Sequence, residues 1–415
     1  MEVRDMDRRT LLKGGGAAVA GLTMLRVAGP AHAFPGEPGE EEVLHWVGEA
    51  PPAPDIPNLL DWEQLESWYT PADDFFVVSH FAEPDIKPAD WSVRIGGLVR
   101  RKKTLTLADL KGRTRREVDF TIECSGNHGF PEFYGAVGNA RWAGAALAPI
   151  LKEAGIRKEG IEVVFWGADT NPAATIRDNS GILSAGNTGT GVPDAQGRVD
   201  LTIQEFFARS MTVADAMNPD NLLCYEMNGG DLPRSHGYPV RLIAPGWYGV
   251  ANVKWLTHIE VWDQQYRGQF MARDYVTIRE QERDGKVVWT FANVRHDRLK
   301  SSPAKVTRRG DRYEVMGAAW GAPIARVEVQ VDNGPWRAAR LHRQPSYGRD
   351  AKKFAWKFWT WHWENPTPGL RTIRSRAFDV DGNMQPRPDD PFLASKVTFW
   401  ESNGWIARKV LIPSS

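Results

Sequence analysis

The chain has 415 residues, and its 52 basic and 52 acidic side chains give a formal net charge of zero, so overall charge gives no indication of nucleic-acid binding. Its hydrophobic content of 42% and charged content of 25% are typical of a soluble globular protein and exclude a disordered or multi-span membrane chain. The two cysteines, Cys124 and Cys224, exclude cysteine-ligated iron–sulfur clusters. Without a C-x-x-C-H motif the chain also cannot attach a c-type haem covalently.

The first 33 residues have the pattern of an export signal. An arginine pair at 8–9 precedes a mild apolar run over 14–28, and a small-x-small cleavage site follows at 31–33. This order predicts a twin-arginine signal, the route that carries folded proteins. We therefore expect the mature protein to be periplasmic. Because no stretch approaches the ~18 apolar residues that a span requires, we expect no membrane span.

Three further regions follow along the chain. Residues 34–58 are rich in Pro, Gly and Glu and predict an extended arm. The region 59–303 mixes strand patterns, such as the apolar run over 161–165, with helical spacing over 147–154 that ends at a glycine. A Gly-rich loop is predicted over 178–198. The fold class is therefore α+β.

From residue 304 to the C-terminus the pattern changes to alternating strands with turn signals. An example is the strand pattern over 327–331, which runs into Asp332-Asn333-Gly334. About 110 residues of this kind are the size of an immunoglobulin-like β-sandwich.

Residues that could take part in catalysis or ligand binding are concentrated in three stretches. The first, over 121–129, presents Cys124 in a Gly-rich turn. The second and third, over 224–241 and 245–256, contain basic side chains and glycines. Together His236, Arg241 and Lys254 suit a phosphate group, because arginine forms bidentate pairs and lysine acts as a point charge. The alternative is a surface of scattered basic residues.

Two other functions compete for the same residues. A thiol hydrolase would use Cys124 as nucleophile with His128 or His236 as its base. A sugar-binding protein would use the aromatic run over 354–363, where alternation places three indoles on one face of a strand. The competing interpretation of that run is sandwich core plus dimer interface.

Several motifs of this chain resemble those of the sulfite oxidase family of molybdopterin enzymes, and they follow one another in the same order as in that family. The resemblance extends from about residue 75 to the C-terminus. It implies a mixed α/β molybdopterin-binding domain over 59–303 and an immunoglobulin-like dimerisation domain over 304–415, hence a homodimer. The motifs are Cys-Ser-Gly-Asn at 124–127, the segment 135–144, Tyr-Glu-Met-Asn-Gly at 225–229, Pro-Arg-x-His-Gly-Tyr-Pro-Val-Arg at 233–241 and Val-Lys-Trp-Leu at 253–256.

The same resemblance implies a role for each matching residue. Cys124 is expected to be the thiolate ligand of molybdenum, which requires both cysteines to stay unpaired. Tyr275 matches the active-site tyrosine. The residues expected to bind the molybdenum cofactor are His80, Asp169, His236, Arg241, Asn252, Val253 and Lys254.

The implied reaction is oxygen-atom transfer to a small sulfur-oxo substrate, above all the oxidation of sulfite to sulfate, with a c-type cytochrome as electron acceptor. Sulfite-oxidising family members hold the oxyanion with arginines, yet the matching positions here are Val78 and Gly129, and 395–404 contains no arginine. Either His128, Arg141 or Arg177 replaces them, or the substrate is a different sulfur or nitrogen oxo compound.

Overall fold

The computed structural model describes residues 42–178, 199–343 and 353–414. The predicted signal over 1–33, the first part of the arm and nearly all of the Gly-rich loop lie outside these residues. No helix within the described ranges is long and apolar enough to cross a membrane.

Strands dominate the first domain, and the few helices are short. Its strands are β2 (Ser92–Gly97), β3 (Lys103–Thr106), β4 (Arg115–Glu123), β5 (Val137–Ala146), β6 (Glu162–Asp178), β7 (Val199–Thr212), β8 (Leu222–Met227), β9 (Gly230–Asp231), β10 (Arg241–Ile243), β11 (Leu256–Trp262), β12 (Val276–Arg283) and β13 (Lys286–Asn293), after β1 (Glu42–Leu44) in the arm. Its helices are α1 (Leu107–Lys111), α2 (Leu147–Ala154), α3 (Val213–Ala216) and α4 (Gln269–Ala272).

Two sheets of this domain form the framework for the chemistry. One has the order β10-β8-β5-β4, with β9 paired to β8, and the other has the order β3-β2-β11-β6-β7. Only β2 and β11 pair in parallel within the named ladders of these two sheets. A separate hairpin, β12-β13, follows.

The predicted helix over 147–154 is confirmed as α2. Its apolar side chains, Leu147, Ile150 and Leu151, are fully buried in the core of the first domain. The helix ends because Gly155 takes a left-handed conformation at φ 72° and its amide donates to the Leu151 carbonyl, a conformation that glycine adopts without steric cost.

The second domain is a sandwich of two antiparallel sheets, which confirms the α+β fold class with a β-sandwich at the C-terminal end. The sheet orders are β1-β14-β15-β19-β18 and β17-β16-β20-β21. The elements are β14 (Lys300–Arg309), β15 (Arg312–Trp320), β16 (Ile324–Val331), β17 (Arg337–Ala338), β18 (Arg340–Leu341), β19 (Lys357–Trp363), β20 (Gly369–Asp379), α5 (Pro391–Ala394) and β21 (Ile406–Ile412).

Two features of the sandwich bear on the sequence predictions. Part of the predicted arm forms β1, which pairs with β14, and β14 itself begins before the predicted boundary at 303/304. In the aromatic run, Trp359 and Trp363 are buried in the sandwich core and Trp361 packs against it. These indoles therefore do not form an exposed platform for sugars.

Candidate active site

A pocket opens where β4 ends, and it brings the predicted residues together from distant parts of the chain. Its walls come from the segment 75–80, the end of β4, the loops around β10 and the residue before β12. Eight of the nine predicted site residues line it, namely His80, Cys124, Asp169, His236, Arg241, Asn252, Lys254 and Tyr275.

Cys124 is fixed by the turn that follows β4. Its amide donates to the Ala136 carbonyl at 2.9 Å, and its own carbonyl accepts from the Asn127 amide at 2.9 Å. Burial raises the pKa of the Cys124 thiol to about 12. The thiol is therefore protonated in the protein alone, and only a bound metal would convert it to the thiolate.

Cys224 lies on β8 with its side chain fully buried, and both cysteines are free. The prediction that they stay unpaired is confirmed. The Cys224 Sγ donates to the Glu226 carbonyl at 3.2 Å, and burial raises the pKa of the Cys224 thiol to about 12. Cys224 is thus a structural thiol.

The geometry does not support a thiol hydrolase. His236 Nε2 lies 3.2 Å from the Ala72 carbonyl oxygen, and neither ring nitrogen of His128 has a hydrogen-bond partner among the described residues. A cysteine nucleophile needs a base within hydrogen-bond reach and a lowered pKa. Cys124 has a raised pKa instead.

Two cations, the buried Arg241 and the half-buried Lys254, line the same pocket. The Arg241 guanidinium donates to the His236 carbonyl at 3.0 Å and to the Asn252 carbonyl at 2.9 Å. Lys254 Nζ donates to Ser79 Oγ at 2.6 Å and to the Ser235 carbonyl at 3.0 Å. Burial lowers the pKa of Arg241 to about 10 and that of Lys254 to about 7. An anionic group between them would raise both pKa values again.

Asn252 and Val253 act on this part of the pocket through the loop that carries them. The Asn252 side chain accepts from the Ala244 amide at 2.7 Å and donates to the Trp247 and Tyr248 carbonyls, so it holds the turn closed. Val253 is fully buried and does not line the pocket. Its carbonyl accepts from the Leu242 amide at 2.8 Å, which fixes the backbone next to Lys254. A direct role for Val253 in cofactor binding stays a prediction.

Tyr275 and His80 form a hydrogen-bonded pair near Cys124. The Tyr275 hydroxyl lies 2.7 Å from His80 Nε2, and the imidazole stacks on Phe270 with 4.7 Å between ring centroids. Burial lowers the pKa of His80 to about 4, with Lys254 and Arg209 adding to the effect. Burial also raises the pKa of Tyr275 well above its usual value. The pair is therefore uncharged at neutral pH and shares a single proton between the two facing atoms.

One buried cation near this pair, Arg209, was not predicted from the sequence. Arg209, on β7, lies with its guanidinium carbon 5.9 Å from the Tyr275 ring centroid and donates to the carbonyls of Phe270 and Val294. Burial lowers its pKa to about 10. Within its strand Arg209 has no motif around it, so only the pairing of β6 with β7 could reveal it.

The candidates for the missing arginines lie elsewhere or outside the described side chains. Arg141 forms an ion pair with Asp119 at 3.0 Å and donates to the Tyr69 hydroxyl. His128 lines a different cavity, beside Lys396 and Trp405. The side chain of Arg177 is not among those described.

We expect the folding stability of the cofactor-free protein to depend on pH through Asp169. Its side chain is 4% exposed, and desolvation raises its pKa to about 6. A raised carboxyl pKa means that the folded state binds this proton more tightly than the unfolded chain does. The bound proton therefore stabilises the fold most at pH values below the pKa of Asp169 in the unfolded chain. This stabilisation is lost as the pH rises to about 6. The Asp169→Asn variant should therefore gain stability relative to wild type between pH 4 and 6.5, by up to about 3 kcal/mol. Urea unfolding at pH 4 and pH 7.5 measures this difference, and an equal difference at both pH values would contradict the assignment.

The pocket also contains buried polar atoms that have no hydrogen-bond partner among the residues the structure describes, and a bound polar group would satisfy them. They are Asp169 Oδ1 and Arg241 Nε. Buried polar atoms in native proteins are nearly always paired. One soft thiol donor, two cations and these unpartnered polar atoms line one pocket, and together they fit a cofactor that brings its own metal and an anionic group.

Comparison with known families agrees with this fit. The protein-family model described as "Oxidoreductase molybdopterin binding domain" matches residues 80–270 of this chain. A second family model, described as "Mo-co oxidoreductase dimerisation domain", matches residues 288–410. The chain belongs to the sulfite oxidase family of molybdopterin-dependent oxidoreductases. The molybdenum cofactor is therefore the group for which this pocket is built.

Relatives support the same family, and a solved structure shows the same fold. The chain is 31% identical to mitochondrial sulfite oxidase of Drosophila melanogaster over 71% of this chain and 50% of that protein. It is 28% identical to sulfite oxidase of Gallus gallus over 85% of this chain and 75% of that protein. The chain thus spans about half to three-quarters of these relatives. The fold matches the crystal structure of the sulfane dehydrogenase SoxCD from Paracoccus pantotrophus with a TM-score of 0.67, 24% identity and coverage of 90% of this chain and 91% of that chain.

Proposed function

We propose that this protein is a molybdenum-dependent oxidoreductase that oxidises sulfite to sulfate by oxygen-atom transfer. Sulfite and water give sulfate, two protons and two electrons, and the electrons pass one at a time to a c-type cytochrome. The observation that carries the proposal is the arrangement of one thiol, Cys124, in a pocket with two cations, Arg241 and Lys254, and the Tyr275–His80 pair. The curated relatives named sulfite oxidase support the choice of substrate.

The residues of this chain bind and orient the reacting groups. When bound, the cofactor supplies the oxygen-atom transfer and two-electron chemistry. Arg241 and Lys254 would hold its anionic group, Asp169 would accept hydrogen bonds from its ring system, and Cys124 would ligate its metal. Tyr275 stays protonated and lines the same pocket as Cys124, so its hydroxyl could donate to a group bound there. His80 fixes that hydroxyl through the 2.7 Å hydrogen bond.

The direct test is metal analysis combined with steady-state oxidation of sulfite by the purified protein. We expect about one molybdenum per chain and sulfite-dependent reduction of an electron acceptor. Protein that contains molybdenum but does not oxidise sulfite would support the second candidate below. Natively purified protein without molybdenum or pterin would overturn the family-level function.

A second candidate uses the same cofactor on another sulfur or nitrogen oxo substrate. Its support is the absence of arginine at the expected positions. Gly129 cannot carry a larger side chain without a backbone shift, because an added Cβ would lie 2.5 Å from the Phe399 carbonyl oxygen. The rings of Phe130, Phe133 and Phe399 also pack against one another beside the Cys124 turn. A dianion without cationic partners is poorly bound in such surroundings.

A gain-of-function variant separates the two candidates. Val78 is half-buried, lines the pocket and matches one of the arginine positions. If the pocket lacks only cationic partners, Val78→Arg should raise kcat/KM for sulfite about tenfold or more, since a hydrogen bond to a charged group contributes about 1.5–3 kcal/mol. Val78→Leu is the matched control. If wild type oxidises sulfite efficiently and Val78→Arg gives no gain, sulfite is already accommodated without arginine.

We also propose that residues 1–33 direct export by the twin-arginine route to the periplasm and that the second domain forms a homodimer. The arginine pair and the cleavage site support export. The match to a dimerisation-domain model supports the homodimer. Replacing both arginines at 8–9 by lysine should leave the protein in the cytoplasmic fraction, whereas unchanged periplasmic recovery would argue against this route.

A further inference from the structure

One sheet face of the molecule exposes large apolar side chains in an ordered pattern. In β13, Val287 is 65% exposed, Trp289 49% and Phe291 70%. Their spacing of two residues places them on one side of the strand. The opposite side of the hairpin packs on the domain, since Thr277 and Arg279 are buried. The hairpin therefore presents its apolar side to solvent.

A third segment extends this face beyond the hairpin. The Val397 amide donates to the Ile278 carbonyl at 3.1 Å, and the Glu280 amide donates to the Ser395 carbonyl at 3.0 Å. Ile278 pairs with Phe291 across the hairpin, and Val397 is 61% exposed. Val397, Ile278 and Phe291 thus form one apolar row across three extended segments. We call the exposed side of β12, β13 and 395–397 the hairpin face.

The charges on the hairpin face have one sign. Glu280 lies opposite Trp289 and Glu282 lies opposite Val287, and directly paired residues point to the same side of a sheet. Both glutamates are exposed, and neither forms a salt bridge with a described residue. The basic residues of the hairpin, Arg279, Arg283 and Lys286, occupy positions of the opposite parity.

The hairpin face is also close to the proposed reaction centre. Tyr275 lines the pocket and directly precedes β12. At about 3.4 Å per residue along a strand, Ile278 lies roughly 10 Å from Tyr275. The segment 395–397 leads to Trp400, which packs on the Tyr275 ring with 4.4 Å between centroids. An electron carrier seated on this face would approach the pocket more closely than one on the far end of the sandwich.

We propose that the hairpin face docks the haem edge of a small c-type cytochrome whose surface around that edge is basic. The inference rests on the proposed function, which requires an external one-electron acceptor. Each substrate oxidised releases two electrons, and each electron reduces one ferric haem to the ferrous state. The apolar row would contact the haem edge, and Glu280 and Glu282 would attract the surrounding lysines.

The size of the face fits a transient redox encounter better than a dimer interface. The exposed parts of Val287, Trp289, Phe291 and Val397 cover roughly 400–500 Å². A stable interface buries about 800 Å² on each partner, whereas electron-transfer encounters bury less. A second copy of this chain is therefore the less suited occupant, and the experiment includes it as an outcome.

The experiment compares two acceptors with the full-length, molybdenum-containing enzyme. Mitochondrial cytochrome c, a small basic c-type cytochrome, is the protein probe, and ferricyanide is the small acceptor that needs no docking surface. The variants are Trp289→Ser with Phe291→Ser, and Glu280→Lys with Glu282→Lys. The matched control is Leu370→Ser with Leu411→Ser, because these residues are paired, 52% and 57% exposed, and lie on the outer side of the sandwich.

We expect both hairpin variants to lower kcat/KM for cytochrome c about tenfold or more, since loss of an interface hot spot costs at least 1–2 kcal/mol. Turnover with ferricyanide should stay within twofold of wild type. The charge-reversal variant should also lose the decrease in rate that added salt causes in wild type. The control variant should match wild type with both acceptors.

Other outcomes overturn the inference in distinguishable ways. If wild type fails with ferricyanide as well as with cytochrome c, the proposed function itself is wrong. If ferricyanide turnover is normal and the hairpin variants reduce cytochrome c as fast as wild type, the docking site lies elsewhere. If light scattering shows that Trp289→Ser with Phe291→Ser converts a dimer to a monomer, the hairpin face is a self-interface and the inference is wrong.

Discussion

The Cys124→Ser variant should lose its molybdenum, and its sulfur-oxidising activity should fall by more than about 100-fold. Loss of a residue that only supports a metal ligand typically costs 10–100-fold, and Cys124 is the sole thiol that lines the described pocket. A serine hydroxyl is a hard donor with a far higher pKa than a thiol, so it replaces a soft thiolate poorly. Metal content by mass spectrometry and steady-state activity measure the two effects.

Cys224→Ser is the matched control for this variant. Both thiols are buried and free, but Cys224 only donates to the Glu226 carbonyl, which a serine hydroxyl can also do. We expect normal molybdenum content and activity in Cys224→Ser. A Cys124→Ser protein that keeps both its metal and its activity would rule out this sulfur as the metal ligand.

Local signals in the sequence were sufficient for features that depend on neighbouring residues. The helix over 147–154 and its end at Gly155 follow from apolar spacing and from the conformational freedom of glycine. The structure brings together in one pocket several residues from the ordered motifs, namely Cys124, His236, Arg241 and Lys254. In these cases the chemistry of each short segment is specific by itself.

Features that depend on distant contacts could not be predicted in the same way. Arg209 reaches the Tyr275 ring only because β7 pairs with β6. Phe399 closes the space beside Gly129 from more than 250 residues further along the chain. Neither residue has a local pattern that distinguishes it from an ordinary strand or loop residue. Such contacts are set by tertiary packing, which a single sequence does not report.

The turn that carries Cys124 also depends on the second domain. Glu123, the residue before it, is fully buried and accepts from Lys300 Nζ at 2.6 Å and from Trp320 Nε1 at 2.9 Å. Asn127, three residues after Cys124, donates to the same carboxylate at 2.9 Å. Lys300 and Trp320 lie on β14 and β15. A buried ionic network therefore ties the ligand turn to the sandwich domain.

Removal of the cation from this network should be strongly destabilising. The Lys300 and Glu123 side chains are 1% and 0% exposed, so Lys300→Met would leave a carboxylate buried without its counter-charge. Breaking a buried pair in this way costs about 3–5 kcal/mol. Lys353→Met is the control, because its ion pair with Asp220 is 51% and 25% exposed and should contribute less than about 1 kcal/mol. Chemical denaturation of the cofactor-free proteins measures both losses.

A second substitution distinguishes loss of the charge pair from simple loss of packing. Adding Glu123→Gln to Lys300→Met removes the unpaired charge, and the single amide oxygen can still accept from Asn127, although not at the same time from Trp320, which donates to the other carboxylate oxygen in wild type. The double variant should therefore be more stable than Lys300→Met alone and should regain part of its molybdenum content, because the turn at Cys124 is held again. Equal losses in the single and double variants would show that Lys300 acts by packing alone. In that case the link between the sandwich and the ligand turn would be steric rather than ionic.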